Sequence, residues 1–234
     1  MTAPAPEPSK PTRALILAAM PFELRDVVLR LGLRVVGDRQ WADADGGLEA
    51  LTLGMGPTSS RRARDALSRQ PTRRVILVGF CGGLVEGLSR GEIVRPGSVV
   101  DEATGRRLPL SDEAEGCTAV TADRPALSPR AKRDLARRCD ASIVDMETYH
   151  VVATCRSLGV PCDVIRAVSD TVEDAIDPAV MKLVDADGKA HFGRAVGLVI
   201  RRPTLLPRLI ALGRRGKAAS AALADAVTEE LADG

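Results

Sequence analysis

The feature that most constrains this chain is a set of short strand-like runs separated by stretches with helical spacing. Ala14 to Ala18 and Val75 to Val78 are continuous apolar runs of only a few residues. Runs of that length and character suit strands buried on both faces. Behind Ala18, Pro21 stands at a first helical position, and Leu24, Val27, Val28 and Leu31 recur at helical spacing. Gly46-Gly47 and Gly54-Met55-Gly56-Pro57 bracket a second strand, Leu48 to Leu53, and Thr58, Ser59 or Ser60 is positioned to cap an Arg-rich helix to about Arg69.

The pattern continues. Val75 to Val78 ends in Gly79-Phe80-Cys81-Gly82-Gly83, and Gly91 to Val100 reads as a strand pair turning at Pro96-Gly97. Asp101 to Asp123 is polar and irregular and is expected to be a surface loop or hairpin. Ser128-Pro129 starts a charged helix to about Arg138, Ile143-Val144 ends a strand, and Met146 to Leu158 is helical. Cys162 to Val168 is a strand that stops at Ser169-Asp170. The chain after Pro178 is helical, interrupted at Gly188, Pro203 and Pro207. This order predicts a single α/β domain with a mixed, largely parallel central sheet flanked by helices and a helical C-terminal extension. The boundaries expected are a disordered tail over 1–12, a catalytic domain over 13–187, and an extension over 188–234 packed on it. Ligands of such sheets gather at the carboxyl ends of the strands. Four polar segments fall there: Met20 to Glu23, Gly54 to Ser60, Gly79 to Gly83, and Ser169-Asp170.

Composition removes several function classes. The 234 residues carry a net charge of +2, and the aromatic residues are Phe22, Phe80, Phe192, Trp41 and Tyr149. That is no polyanion-binding profile and leaves no stacking platform for nucleic acid. The five cysteines form no C-x-x-C pair and have only His150 and His191 beside them, so no metal site is expected. An odd cysteine count in a chain of this length fits a reducing, cytoplasmic setting. Met1 to Thr12 is rich in Pro and Ala without the apolar core of a signal peptide, and no apolar run approaches the roughly 20 residues of a membrane span.

Four motifs occur in one order: Ala19-Met20-Pro21-Phe22-Glu23, Gly79-Phe80-Cys81-Gly82-Gly83-Leu84, Val144-Asp145-Met146-Glu147 and Arg166-Ala167-Val168-Ser169-Asp170. Together they resemble the nucleoside phosphorylase superfamily over Arg13 to Asp170, and within it the hydrolytic methylthioadenosine/S-adenosylhomocysteine nucleosidases. Lys132 to Leu135, Cys139 to Glu147 and the tail from Arg201-Arg202-Pro203 through Leu223 are similar to the hopanoid-associated adenosylhopane nucleosidase group. The resemblance implies a nucleoside phosphorylase-like fold, a homodimer, a small nucleoside substrate, and no cofactor.

It also implies roles. Breaking a ribosyl C–N bond puts positive charge on the sugar and negative charge on the base, so an acid serves the base and a second group aims water at the sugar. Asp170 matches the acid, with the apolar strand Val164 to Val168 as a source of burial; the plainer alternative is a turn cap. Glu23 matches the carboxylate that activates water, against the alternative of a first-turn Glu offsetting the helix dipole. Glu147 matches the residue that grips both ribose hydroxyls, and Met146 offers the sugar an apolar surface, against the alternative of a helix-start carboxylate and a core methionine. Arg166 and Ser169 hold Asp170 or reach the ligand, Arg166 equally being a candidate structural ion-pair partner, and Gly82 lets backbone amides come close or simply makes a tight turn.

Three departures stand out. Phe80, a candidate substrate-binding residue that stacks on the base or merely fills space, occupies a position where the family usually has a small residue, and Asp145 one where Glu is common. The stretch Asp101 to Asp140 is short, leaving Thr121-Ala122-Asp123-Arg124 to stand in for a base-clamping loop. In the tail, Arg201, Arg202, Arg208, Arg214, Arg215 and Lys217 alternate with leucines. That pattern suits peripheral contact with an anionic membrane, or a solvated face on packed helices. The function expected is hydrolysis of a 5′-substituted adenosine, adenosylhopane-like or methylthioadenosine-like, with release of adenine. A phosphate-dependent phosphorylase and an inactive nucleoside-binding protein are the rivals.

Overall fold

The computed structural model describes residues 12–56, 58–69, 71–110, 116–181 and 206–233. The expected tail over 1–12 and the interruptions at Gly188 and Pro203 lie essentially outside these residues. In chain order the elements are β1 (Ala14–Ala18), α1 (Pro21–Arg30), β2 (Arg34–Gly37), β3 (Gln40–Ala42), β4 (Leu48–Thr52), α2 (Thr58–Arg69), β5 (Val75–Gly83), β6 (Ile93–Val94), β7 (Ser98–Asp101), β8 (Arg107–Pro109) and β9 (Thr118–Thr121). They continue as α3 (Pro129–Cys139), β10 (Ile143–Asp145), α4 (Thr148–Ser157), β11 (Cys162–Asp170), α5 (Pro178–Met181) and α6 (Leu206–Asp233).

The strands form one mixed sheet flanked by helices, and β5 organises it. Its first residues pair in parallel with β1, while β11 runs parallel along its other edge for nearly its whole length. At Gly82 and Gly83, β10 takes over the first edge in antiparallel register. The sheet therefore splays between the end of β1 and the start of β10. The resulting crevice lies at the carboxyl ends of β1 and β4, beside the middle of β5. Beyond it the sheet continues through β9, β7 and β8.

Two apolar layers clamp this sheet. On one face, Ile16, Ala50, Ile76, Val78, Ile165 and Ala167 pack against Leu24 and Val27 of α1 and Leu223 and Val227 of α6. On the other, Leu15, Leu17, Leu77 and Val164 meet Ala63 of α2 and Val151 and Cys155 of α4. Alternate residues of each strand feed opposite layers, which is why β1 and the first half of β5 read as unbroken apolar runs.

Several local expectations change. Thr58, Ser59 and Ser60 lie inside α2 rather than capping it. Gly79 to Gly83 continue β5 instead of ending it. Gly91 to Val100 is no hairpin, because β6 pairs with β11 while β7 pairs with β8 and β9. Asp101 to Asp123 contains β9, whose Ala119 to Thr121 are buried between β7 and β10. Four residues flanked by polar sequence give no periodic signal, so only the neighbouring strands define β9. The β2–β3 hairpin was equally unannounced, being exposed along β2 with Arg39 in the left-handed region at its turn. Finally, α6 runs through Pro207 without a break, because a proline in a helix's first turn costs no intrahelical hydrogen bond.

Candidate active site

Glu23 enters the crevice from the first turn of α1. Met20 is the N-cap and Pro21 fixes the first helical residue. Glu23 Oε2 accepts the Met20 N–H at 2.7 Å, and Oε1 accepts the Phe80 N–H from β5 at 2.8 Å. The carboxylate thus closes its own helix and ties that helix to the sheet. Burial pushes its pKa up, against the pull of the Phe80 N–H, Arg166 and the Met20 N–H.

Arg166 comes from the middle of β11, beside Gly79 in register. Its Nε and Nη2 donate to Thr148 Oγ1 at 3.1 and 2.6 Å, and Nη2 pairs with Asp145 Oδ2 at 3.0 Å. The guanidinium lies across the face of Gly79. A Cβ there would collide with Arg166 Nη1 and come within 3.0 Å of Glu23 Oε1. This requirement for glycine comes from space, as that backbone is ordinary strand.

Glu147 follows β10 at the N-cap of α4, and its Oε1 accepts the Gly56 N–H at 2.9 Å. Gly56 has φ near +70°, so a residue that tolerates left-handed backbone brings that amide to the site. Burial and then Asp145 push the Glu147 carboxyl up to about 8, outweighing Arg166 and the Gly56 N–H. Helix α4 begins at Thr148 rather than Met146, and Asp145 serves its first turn: Oδ1 accepts the N–H groups of Glu147 and Thr148 and the Thr121 hydroxyl. Met146 is half-buried beside Glu147.

Asp170 ends β11, at the β-bulge that sets it opposite Gly82. Its side chain is 14% exposed, and its Oδ2 forms an ion pair with Lys132 Nζ. The environment therefore differs from the apolar cover expected from Val164 to Val168: Val164, Ile165, Ala167 and Val168 pack into the core, and Arg166 enters the crevice. The Ser169 hydroxyl lies 2.5 Å from Asp170 Oδ1 and 3.1 Å from the Cys81 carbonyl; with a single proton it serves one at a time. A Cβ on Gly82 would stand 3.2 Å from both Asp170 Oδ2 and Val144 Cγ1, so glycine lets these walls close up.

Phe80 is half-buried, its ring centroid 5.5 Å from that of Phe22, with Gly216 of α6 alongside. Among Thr121 to Arg124, Thr121 is committed to Asp145 and Ala122 is buried, leaving Asp123 and Arg124 exposed. Of the basic tail, Lys217 alone has a described side chain, which is exposed; the rest of that expectation lies outside the described residues. Among the described residues no helix is long and apolar enough to cross a membrane, and no group of three or more His, Cys, Asp or Glu is placed to hold a metal ion. All five cysteines are free.

Glu23, Gly79, Phe80, Glu147 and Arg166 thus adjoin one another in the crevice, with Asp170 and Ser169 further along β11 beside Gly82. Sequence reasoning missed Asp145, Gly79, Gly56 and Lys132 as parts of this assembly. Asp145 had a signal, its place directly before Met146-Glu147. Lys132 had none beyond a helix of the right composition.

A model of the Phosphorylase superfamily matches residues 113–199, a stretch that holds Glu147, Arg166 and Asp170 but not Glu23. A comparison with curated proteins finds no match. Among solved structures, the native futalosine hydrolase of Helicobacter pylori strain 26695 superposes with a TM-score of 0.67 at 15% identity, covering 95% of this chain and 98% of that one. The chain has the fold of the nucleosidases. The apo 5′-methylthioadenosine nucleosidase of Arabidopsis thaliana gives a TM-score of 0.67 at 16% identity over 94% of this chain and 95% of its own. Helicobacter pylori 5′-methylthioadenosine/S-adenosyl homocysteine nucleosidase, in complex with a pyrrolidine ligand, gives 0.65 at 15% identity over 96% and 100%. At these identities the likeness establishes the nucleosidase fold, and the chemistry rests on the side chains.

Proposed function

We propose that this chain is an N-ribosyl hydrolase acting on a 5′-substituted adenosine. The observation that carries this reading is the pair of buried carboxylates, Glu23 and Glu147, gathered with Arg166 in one crevice. Glu147 accepts hydrogen bonds from the ribose hydroxyls, with the Gly56 N–H holding its carboxylate in place. Glu23 takes a proton from water as the oxygen attacks the anomeric carbon. Its raised pKa strengthens it as a base, and its two backbone bonds leave lone pairs for the water. The C–N bond breaks toward the base, which receives its proton from Asp170. The products are adenine and the free 5′-substituted ribose.

Water is favoured over phosphate because the cation in the crevice is already matched. Phosphorolysis needs positive charge for an incoming anion. Arg166 instead meets Asp145 directly and feels Glu147 and Glu23. The subgroup resemblance extends the reading to a lipid-like 5′ substituent, the family resemblance to a homodimer, and the cysteine usage to a cytoplasmic enzyme.

The test is adenine release from methylthioadenosine and from lipid-linked adenosines, with and without phosphate. Phosphate-independent release that Asp170→Asn abolishes is the expected result. Strict dependence on phosphate defeats the hydrolase, and no base release from any nucleoside of the panel defeats the enzyme.

A further inference from the structure

Lys132 is the largest buried cation besides Arg166, and the chemistry above does not use it. It sits in the first turn of α3, where Ser128 Oγ accepts the Ala131 N–H at 3.2 Å and Pro129 starts the helix. Lys132 and Leu135 form the buried face of that helix, three residues apart, so the lysine occupies a position that packing alone would fill with an apolar side chain. It has no exposed surface. Taking an ammonium out of water is costly unless it is paired and fully hydrogen-bonded. All three of its N–H groups find oxygens: Asp170 Oδ2, the Thr171 carbonyl at 2.6 Å and the Asp174 carbonyl at 3.2 Å.

This arrangement fixes one edge of Asp170. Oδ2 is turned to Lys132, while Oδ1 stays with Ser169, whose hydroxyl can turn to the Cys81 carbonyl instead. Resting on the hydrolase reading, we propose that Lys132 is the positioning residue of the leaving-group acid. It holds Oδ2 so that Oδ1 is the edge presented to the base. It also supplies the counter-charge when the Oδ1 proton passes to the base nitrogen, the C–N bonding pair goes to the base, and Asp170 is left as a carboxylate. The lysine itself keeps its protons. The two carbonyl contacts set the ammonium at the end of β11, so its location follows from backbone geometry.

The proposal separates substrates by leaving group. Adenine departs with a proton, whereas 4-nitrophenolate departs without one. Methylthioadenosine and 4-nitrophenyl β-D-ribofuranoside are therefore compared on the parent chain, Lys132→Met and Lys132→Gln, with thermal melting of each. The expected result is a loss in kcat on the order of 10²-fold or more with methylthioadenosine, the range of general-acid catalysis, and less than about 5-fold with the nitrophenyl riboside. With the nitrophenyl riboside, whose cleavage needs no acid and so survives Asp170→Asn, introducing Lys132→Met into an Asp170→Asn chain should cost nothing further, and that double variant buries no unpaired charge. Equal losses on both substrates, or a further loss in the Asp170→Asn background, assign Lys132 a purely structural role and overturn the proposal. Unchanged methylthioadenosine turnover overturns it too. A parent chain that cleaves neither substrate fails the hydrolase reading itself, and the lysine proposal falls with it.

Discussion

Arg166 Nη2 lies 3.0 Å from Asp145 Oδ2, and each of the two side chains is 1% exposed. Twenty residues of chain, including all of α4, separate them, yet they meet because β10 and β11 both flank β5. Around this pair the crevice is assembled: Arg166 spans Gly79 toward Glu23, and Asp145 orders the turn that carries Glu147. Removing one partner of such a pair leaves the other charge buried alone.

Asp145→Asn is therefore expected to lower the unfolding free energy by about 3–5 kcal/mol, the usual cost of breaking a buried pair. Urea denaturation of the parent and variant measures it. A difference under about 1 kcal/mol would show that Thr148 and the neighbouring carboxylates already compensate Arg166.

Gly79→Ala is expected to lower stability by about 1–3 kcal/mol, as overpacking does, and to depress turnover by displacing Arg166 and Glu23 together. Thermal melting and an adenine-release assay report the two effects. Gly82→Ala meets its neighbours at 3.2 Å and is expected to be milder. Equal behaviour of the two variants would contradict the crowding at Gly79.

Glu147 sets a pH dependence whose sign follows from its raised pKa, about 8 in the folded chain against an ordinary value of 4.5. Between those values the folded chain holds a proton that the unfolded chain has released. The corresponding stability is present below about 4.5 and is lost as pH rises toward 8. Melting temperatures of the unliganded chain should fall over that window, and less steeply in Glu147→Gln. Because the carboxylate form accepts the ribose hydroxyls, KM for nucleosides should improve as pH rises to about 8. Identical profiles for parent and Glu147→Gln would remove Glu147 from both effects.

Glu23→Gln is expected to reduce hydrolysis on the order of 10²–10⁴-fold, the range for loss of a general base. One of its two backbone bonds survives through the amide oxygen, so the fold should persist. Added phosphate should not restore the rate. Restoration by phosphate would make the anion the nucleophile and Glu23 dispensable.

How far the sequence could be read depended on the range of the interaction concerned. The start of α3 was readable because Ser128 and Pro129 act within one turn. Strand β1 was readable because both of its faces are covered. Strand β9 was not, since its burial comes from β7 and β10. The surroundings of Asp170 were misjudged for the same reason: Lys132, 38 residues upstream, supplies its partner. Glu23 had two competing readings, helix-end residue and water-activating carboxylate. Its position at N3, bonded to both Met20 and Phe80, is compatible with the first and leaves the second to the chemistry proposed.

By itself, then, the sequence determined the local pieces: the apolar runs, the helix starts, and the spacing that puts Glu23, Glu147 and Asp170 at or near strand ends. Only the tertiary structure decided that β5 exchanges β1 for β10 at Gly82, which opens the crevice and brings Arg166 onto Gly79. It also decided which charges meet there, Asp145 with Arg166 and Lys132 with Asp170. The physical reason is that propensity and capping act within a few residues, whereas burial, ion pairing and the pKa shifts they cause depend on neighbours brought from distant parts of the chain.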